Sequence, residues 1–185
     1  MTDNAGNNGD CGFRALAQQL TGNEDDYGNI KSAMLNHYLK WKEDYITAYP
    51  TMMNHDDLLH ILTTDHAWFS TPECSQVAAN TFGRPIAVYP SRAMQGLDEM
   101  FFPMIHFDYP KNIPLPLVLQ NHCNSHSVTV QLKRSKTPHW PIPSTWHTHA
   151  VLNLLGHADD KVKTYWKRVL HFNRSGVEHE ETVNE

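Results

Sequence analysis

The sequence predicts an α+β domain in which helices flank a small central β-sheet. The first observation is the order of patterns, because amphipathic helical runs fill the first part of the chain and short strand runs dominate its middle. The second is length, because 185 residues form a single domain with a sizeable core, predicted here over 1–185. The third is a composition of 40% hydrophobic and 19% charged residues, which is typical of globular proteins.

The first predicted helix covers 12–20, where apolar residues recur at helical spacing and Thr21-Gly22 ends the run. A polar loop at 23–26 follows it. A long amphipathic helix is then predicted over 27–49, with its apolar residues on one stripe, and Pro50 stops it. The N-terminal part of the domain is therefore predicted to be helical.

Two shorter helices follow in the pattern. Asp56-Asp57 is predicted to cap the first of them. The run STPE at 70–73 combines a cap, a first-turn proline and an acid, all of which favour a helix start. That helix would bury Cys74 in the core and end near Gly83.

Strand patterns occupy the middle of the chain. The segment 85–89 is a short apolar strand, 101–105 and 115–120 are further candidates, and 127–132 alternates apolar and polar residues. The proline-rich stretch 137–146 is predicted as a loop.

A last helix is predicted over about 159–172, followed by an acidic tail that we expect to be frayed. This helix belongs to a C-terminal extension of the domain.

Charge and cysteine usage limit the classes of partner. The formal net charge of −5 argues against a nucleic-acid partner and suits a basic one. Apolar runs are too short and too proline-broken to cross a bilayer, and no secretory signal is visible, so no membrane partner is expected. Three widely separated cysteines indicate reduced thiols in the cytoplasm or nucleus.

The segment NNGDCGFRAL at 7–16 places Cys11 between a glycine-containing loop and the first predicted helix. A cysteine thiol ordinarily titrates at about 8.5, so a nucleophilic cysteine needs a stabilised thiolate. Helix N–H groups and the positive end of the helix dipole favour an anion there. Gly9 lets the loop turn sharply, and the same N–H groups could hold a tetrahedral oxyanion. The alternative is that Cys11 is simply a small buried hydrophobic residue.

A cysteine nucleophile needs a base, and His126 is the favoured candidate among 13 histidines. It stands directly before the strand predicted at 127–132, where a side chain is rigidly aimed and still reached by solvent. His122, in the same loop, is the rival. The sequence has no GxSxG, Walker, GxGxxG or HExxH motif that would favour another enzyme class.

The same loop also raises a metal site as an alternative. His122, Cys123 and His126 could supply part of a zinc site, with His147 and His149 as the only additions. No second CxxC or HxxxH group completes four ligands, so we expect no metal and no cofactor.

Four segments occur in a characteristic order: NGDCGFRA at 8–15, IKSAMLNHYLKW, WFSTPECSQVAANTFGRPIAVY and LVLQNHCNSHSVTVQL. They resemble, respectively, the cysteine box, the second helix, the tryptophan-helix-strand segment and the closing strand pair of the ovarian-tumour-domain (OTU) cysteine proteases, mostly deubiquitinases. The resemblance covers about 4–132 and is closest to members carried by viruses and transposable elements. It implies an OTU-like, papain-like cysteine protease fold.

The resemblance implies roles for the matching residues. Cys11 would be the nucleophile, and His126 the general base that later donates a proton to the leaving amine. Backbone N–H groups around Gly9, Asp10 and Cys11 would form the oxyanion hole.

The third catalytic member is left open by the resemblance. Family members generally have aspartate where this chain has Asn8, and many have asparagine or aspartate where it has Val128. Asn8 could orient the imidazole through its amide oxygen. Asn124, or no third residue at all, are the alternatives. We therefore expect an active enzyme that is slower than one with a full triad.

The implied reaction is hydrolysis of the isopeptide bond after the C-terminal glycine of ubiquitin, with ubiquitin or polyubiquitin as partner. A narrow channel would admit only the slender ubiquitin tail, with Trp68 and Trp140 as candidate walls, although large aromatic side chains more often pack in the core. The negative net charge suits an arginine-rich tail. The alternatives are a protease for a ubiquitin-like modifier or a polyprotein, and a catalytically weak OTU-like module that binds ubiquitin.

Overall fold

A computed structural model describes residues 9–90, 98–108, 112–122, 126–129 and 140–170. The α-helices in this part of the chain are α1 (Cys11–Thr21), α2 (Tyr27–Lys40), α3 (Lys42–Ala48), α4 (His55–Thr63), α5 (Glu73–Phe82), α6 (Thr145–Leu154) and α7 (Asp160–Leu170). The strands are β1 (Ile86–Pro90), β2 (Glu99–Phe101), β3 (Leu117–His122), β4 (His126–Thr129) and β5 (Ile142–Pro143). The predicted α+β class, a small sheet flanked by helices, is confirmed.

The strands form one mixed sheet in the order β4-β3-β1-β2-β5. The central strands β1 and β3 run parallel, whereas β2 and β4 pair antiparallel to their inner neighbours. Helix α1 packs against β3 and β4, and α5 packs against β1 and β2. The sheet thus places α1 over β4, the outermost strand on that side of the described sheet.

Glycines end two of the helices as the sequence predicts. Gly22 has φ 81°, and its N–H donates to the carbonyl of Gln18 at 3.1 Å. Gly83 ends α5 with φ 60°. Both lie in the left-handed region that glycine adopts without a steric penalty.

The single helix predicted over 27–49 is wrong, because Trp41 separates α2 from α3. Trp41 has φ −118° and ψ 26°, outside the helical region. Its indole ring stacks on the ring of His106 with 3.5 Å between centroids. The chain thus leaves the helical conformation at a residue that makes a long-range stacking contact. The spacing of apolar residues within 27–49 does not indicate this contact.

Two predicted helix starts are displaced. Asn54, rather than Asp56-Asp57, caps α4, because its side chain accepts from the N–H of Asp57. Pro72 holds the N-cap position of α5, while the hydroxyl of Ser70 donates to the Glu73 carboxylate at 2.6 Å.

The strand predicted at 101–105 is wrong beyond Phe101. The N–H groups of Met104 and Ile105 donate to the amide oxygen of Asn80 at 2.7 and 3.2 Å, so they do not join the ladder. The side chain of Asn80, which is buried in α5, takes the place of a neighbouring strand.

The loop predicted at 137–146 is also wrong where the structure describes it. Ile142–Pro143 form β5, which pairs in parallel with β2. Ser144 then caps α6, with its hydroxyl accepting from the N–H of Trp146 at 3.5 Å. The prolines therefore mark an edge strand and a helix entry rather than an irregular loop.

The other predicted elements are confirmed with shifted ends. β1, β3, β4 and α7 lie on the segments predicted at 85–89, 115–120, 127–132 and 159–172. Residues 130–132 and 171–185, including the acidic tail, lie outside the described residues. Across the described residues, none of the helices has the length and apolar character that a bilayer crossing requires.

Candidate active site

Cys11 is the first residue of α1, and only 2% of its surface is exposed. Asp10 before it holds the N-cap position, and the carbonyl of Asp10 accepts from the N–H of Arg14 at 2.9 Å. The sulfur therefore lies on the opening turn of the helix, where the backbone N–H groups and the helix dipole favour an anion.

Two backbone carbonyls fix the orientation of the loop before Cys11. The carbonyl of Gly9 accepts from the N–H of Phe69 at 3.3 Å, and that of Asp10 accepts from Arg14. In a planar trans peptide the N–H points opposite to the preceding carbonyl. The N–H of Asp10 thus points away from Phe69, and the N–H of Cys11 points out of the start of α1. These two N–H groups are among those predicted to bind the oxyanion.

Glycine at position 9 is required by a close backbone approach. A Cβ atom there would lie 2.3 Å from the carbonyl oxygen of His66 and 2.7 Å from backbone atoms of Ala67 and Trp68. At Gly12 a Cβ atom would lie 2.4 Å from the ring of Phe69. The segment around Phe69 therefore packs directly against both sides of the cysteine.

The carboxylate of Asp10 lies behind the cysteine and is 1% exposed. It makes no cap hydrogen bond to α1. One oxygen lies 2.7 Å from Nδ1 of His66, and the other lies 3.4 Å from Nζ of Lys31. Lys31 also donates to the carbonyl of Thr64 at 2.6 Å. Asp10, Lys31 and His66 together form the Asp10 cluster.

Gln19 attaches the other end of α1 to the sheet. Its amide donates to the carbonyl of Val118 at 2.9 Å and accepts from the N–H of Val118 at 2.7 Å. The helix from Gln19 back to Cys11 is about 12 Å long. The stretch of β3 from Val118 to His122 is about 13 Å long. The two lengths match.

The backbones of the two candidate bases lie opposite each other. His122 ends β3, His126 begins β4, and their Cα atoms are paired in the antiparallel register. The register therefore brings both histidines to the same end of the strand pair, and backbone position alone does not distinguish them.

A cleft of about 530 Å³ lies beside the cysteine loop, lined by His60, Ile61 and residues 67–71. Trp68 is 49% exposed in this cleft. Trp140 is 4% exposed and belongs to the core, so its prediction as a channel wall is wrong. Its large apolar surface is better buried against other side chains than exposed to water.

Cys74, His147 and His149 lie in the core or on the surface, whereas Cys123 lies outside the described residues. Burial raises the pKa of Cys74 to about 12, which keeps that thiol protonated. Burial lowers the pKa of His147 to about 3, and its Nε2 accepts from the N–H of Phe102 at 2.8 Å. His149 is exposed on α6. Within the described ranges, no group of three histidine, cysteine, aspartate or glutamate residues could hold a metal ion.

No protein-family model matches the chain, and no curated protein sequence matches it. Solved structures do. The crystal structure of the viral OTU domain protease from Farallon virus matches with a TM-score of 0.51 and 16% sequence identity, covering 69% of this chain and 81% of that one. The chain has the OTU fold. The structure of the Hazara virus OTU bound to ubiquitin also matches, with a TM-score of 0.51 and 16% identity over 70% of this chain and 79% of that one.

In this OTU fold, the predicted site residues fall into two groups. Gly9, Asp10 and Cys11 are contiguous at the start of α1. The backbone of His126 begins β4, against which α1 packs. Asn8 and Asn124, the candidates for the third member, lie outside the described residues, so both stay predictions.

Lys31 and His66 are site neighbours that the sequence analysis missed. Lys31 lies next to Ile30 on the buried side of α2, where a cation is out of place without a partner. That misplaced charge was the one available signal. His66 lies in a polar run, and nothing in the sequence distinguishes it from the other histidines.

Proposed function

We propose that the protein is a cysteine-type deubiquitinase, which hydrolyses isopeptide or peptide bonds after the C-terminal glycine of ubiquitin. The observation that carries the proposal is the thiol of Cys11 on the opening turn of α1, in an OTU fold. The Hazara virus OTU, which has a similar fold, is bound to ubiquitin. Within the part of the chain that the structure describes, Cys11 and Cys74 form no disulfide, which suits a reducing compartment, so we propose the cytoplasm or the nucleus as its location.

The proposed reaction proceeds in two halves. The sulfur of Cys11 attacks the glycine carbonyl carbon while His126 takes the thiol proton. N–H groups of Asp10 and Cys11 donate to the oxyanion. The C–N bond breaks, His126 gives its proton to the lysine amine, and a thioester remains. Water, deprotonated by His126, then attacks the thioester and releases the ubiquitin carboxylate and the thiol.

The packing of α1 supports this pairing of residues. Gln19 fixes the far end of α1 at Val118. The matched lengths of helix and strand allow Cys11 to lie at the end of the strand pair where His126 begins β4. We propose Asn8 as the residue that orients the imidazole through its amide oxygen.

Covalent capture of ubiquitin tests the proposal. The probe is ubiquitin with an electrophile in place of its C-terminal carboxylate. The wild-type chain should form a stable adduct, and Cys11→Ala should form none. Cys74→Ala is the matched control, because Cys74 is buried in the core and should leave capture unchanged. An adduct on Cys11→Ala, or none on the wild type, contradicts the proposal.

Hydrolysis of a panel of ubiquitin dimers distinguishes the candidate bases. His126→Ala should lower kcat by about 10²–10⁴-fold, the range for loss of a general base. His122→Ala should retain most of the activity. The opposite pattern assigns the base to His122.

Two further outcomes separate the alternatives. Capture of a ubiquitin-like modifier without capture of ubiquitin would indicate a different protease. Reversible ubiquitin binding that is the same in the wild type and Cys11→Ala, without cleavage, would indicate a binding module.

A further inference from the structure

The Asp10 carboxylate departs from what its position favours. Aspartate at an N-cap usually accepts hydrogen bonds from N–H groups of the first helical turn. Here the side chain makes no such bond and is held by Lys31 and His66 instead. The first turn of α1, which begins with Cys11, is thus not covered by its own N-cap side chain.

We propose that His66 and Lys31 are positioning residues that hold the Asp10 carboxylate away from the start of α1. The carboxylate then does not occupy the N–H groups and the positive end of the helix, which favour the thiolate of Cys11 and the oxyanion. The inference deepens the proposed deubiquitinase function and rests on it for its catalytic consequence. The expected effect on the reactivity of the Cys11 thiol does not depend on the proposed function.

The holding groups come from two separate parts of the fold. Lys31 lies on α2, and His66 lies between α4 and α5. A carboxylate that is 99% buried needs such partners, because an unpaired buried charge is strongly destabilising. The 2.7 Å contact to His66 is the shorter of the two, so His66 is the principal holder.

His66 is itself fixed in place. Its φ of 60° lies in the left-handed region, which residues other than glycine and asparagine rarely adopt. Its carbonyl oxygen is the atom that approaches Gly9 most closely. Its side chain is 60% exposed, so a substitution there leaves the core intact. Backbone and side chain of one residue therefore contact both Gly9 and Asp10.

Loss of the His66 donor should release the carboxylate. Asp10 would keep only Lys31, at 3.4 Å, and could rotate to cap the first turn of α1. Its negative charge would then compete with the thiolate for the same N–H groups. We expect the reactivity of Cys11 to fall about fivefold, which corresponds to one cap hydrogen bond of about 1 kcal/mol.

Two substitutions at one position test this inference. His66→Gly removes the donor and suits the positive φ. His66→Asn also tolerates the positive φ and keeps an N–H donor at the place of Nδ1. His106→Gly is the matched control, because His106 also has positive φ, at 43°, and bonds Asp44 instead.

The primary measurement is the alkylation rate of Cys11 by iodoacetamide at neutral pH, with the modified residue located by mass spectrometry. His66→Gly should react about fivefold more slowly, because the released Asp10 carboxylate can form a cap hydrogen bond worth about that factor. His66→Asn should restore the wild-type rate, and His106→Gly should leave it unchanged. With a ubiquitin substrate, the same loss should appear in kcat and not in KM, because the change acts on the reactivity of the Cys11 thiol.

A double mutant isolates the carboxylate. Without it, His66 has nothing to hold, so Asp10→Ala and Asp10→Ala/His66→Gly should alkylate at the same rate. Equal alkylation rates for the wild type and His66→Gly overturn the inference. So does a His66→Asn rate as low as that of His66→Gly, because the donor would then be irrelevant. If the variants show the expected differences in alkylation rate but the wild-type chain cleaves no ubiquitin substrate, the proposed function is overturned and the inference about His66 is not.

Discussion

Adding one methyl group at Gly9 should displace the loop that carries the cysteine. In Gly9→Ala the new Cβ atom would lie 2.3 Å from the His66 carbonyl oxygen and 2.7 Å from the Trp68 nitrogen. All of these neighbours are backbone atoms, so no rotamer change relieves the overlap. The chain must move as a whole, either at Gly9 or in the segment after His66.

The size of the effect follows from the distances. Ordinary van der Waals contact begins at 3.4 Å, so the 2.3 Å approach requires a shift of about 1.1 Å. A misplacement of about 1 Å in a catalytic site lowers activity by about 10²-fold. Overpacking of this kind also destabilises by about 1–3 kcal/mol. For a chain of this length, each kcal/mol lowers Tm by about 2–4 °C.

The assay compares kcat/KM on a ubiquitin dimer with Tm from thermal unfolding. Gly28→Ala is the matched control, because Gly28 is exposed in α2 and a Cβ atom there meets nothing within 4 Å. That control should keep full activity and unfold at the same or a higher temperature. Wild-type kcat/KM and Tm in Gly9→Ala would refute the argument from close approach.

Three further predictions concern the anchoring of α1 and the buried titratable groups. Gln19→Leu leaves the Val118 N–H and carbonyl without their side-chain partner. It should lower the free energy of unfolding, measured by denaturant titration, by about 1–3 kcal/mol. The control Gln18→Leu, at an exposed neighbouring position, should change this free energy little. The pKa of His147 lies at about 3 in the folded chain, below its ordinary 6.5. Between these two pH values the unfolded chain therefore binds more protons than the folded chain. The free energy of unfolding falls as pH falls through that window, by at most about 1.4 kcal/mol per pH unit. His147→Gln, which keeps an acceptor, should flatten the fall between pH 6 and 4, and an unchanged slope would contradict this account. Cys74, with its pKa raised to about 12, should resist iodoacetamide at neutral pH until denaturant unfolds the chain, and labelling of the native chain would show that the core around it opens.

Elements that depend on local signals could be predicted from the sequence. The end of α1 at Gly22 follows from a backbone conformation that one residue type favours. The break at Trp41 could not, because it coincides with a stacking contact to His106 that lies more than sixty positions away. The strand β5 was missed for a similar reason, since a two-residue strand exists only through its pairing with β2.

The candidate site shows the same division. Cys11 was located by a local motif, a glycine-containing loop before an apolar helix, and by the resemblance that this motif carries. The Asp10 cluster was not, because its three residues come from separate segments and meet only in the folded chain. Sequence alone gave no reason to choose His66 among 13 histidines.

The position of β4 has a consequence for inactivation. This strand lies at the margin of the described sheet, hydrogen-bonded to β3 on one side. Peripheral strands detach in local fluctuations that require less free energy than global unfolding. If His126 is the base, a low denaturant concentration should abolish enzyme activity while the helical circular dichroism signal is unchanged. Enzyme activity would then serve as a sensitive probe of fraying at one sheet margin.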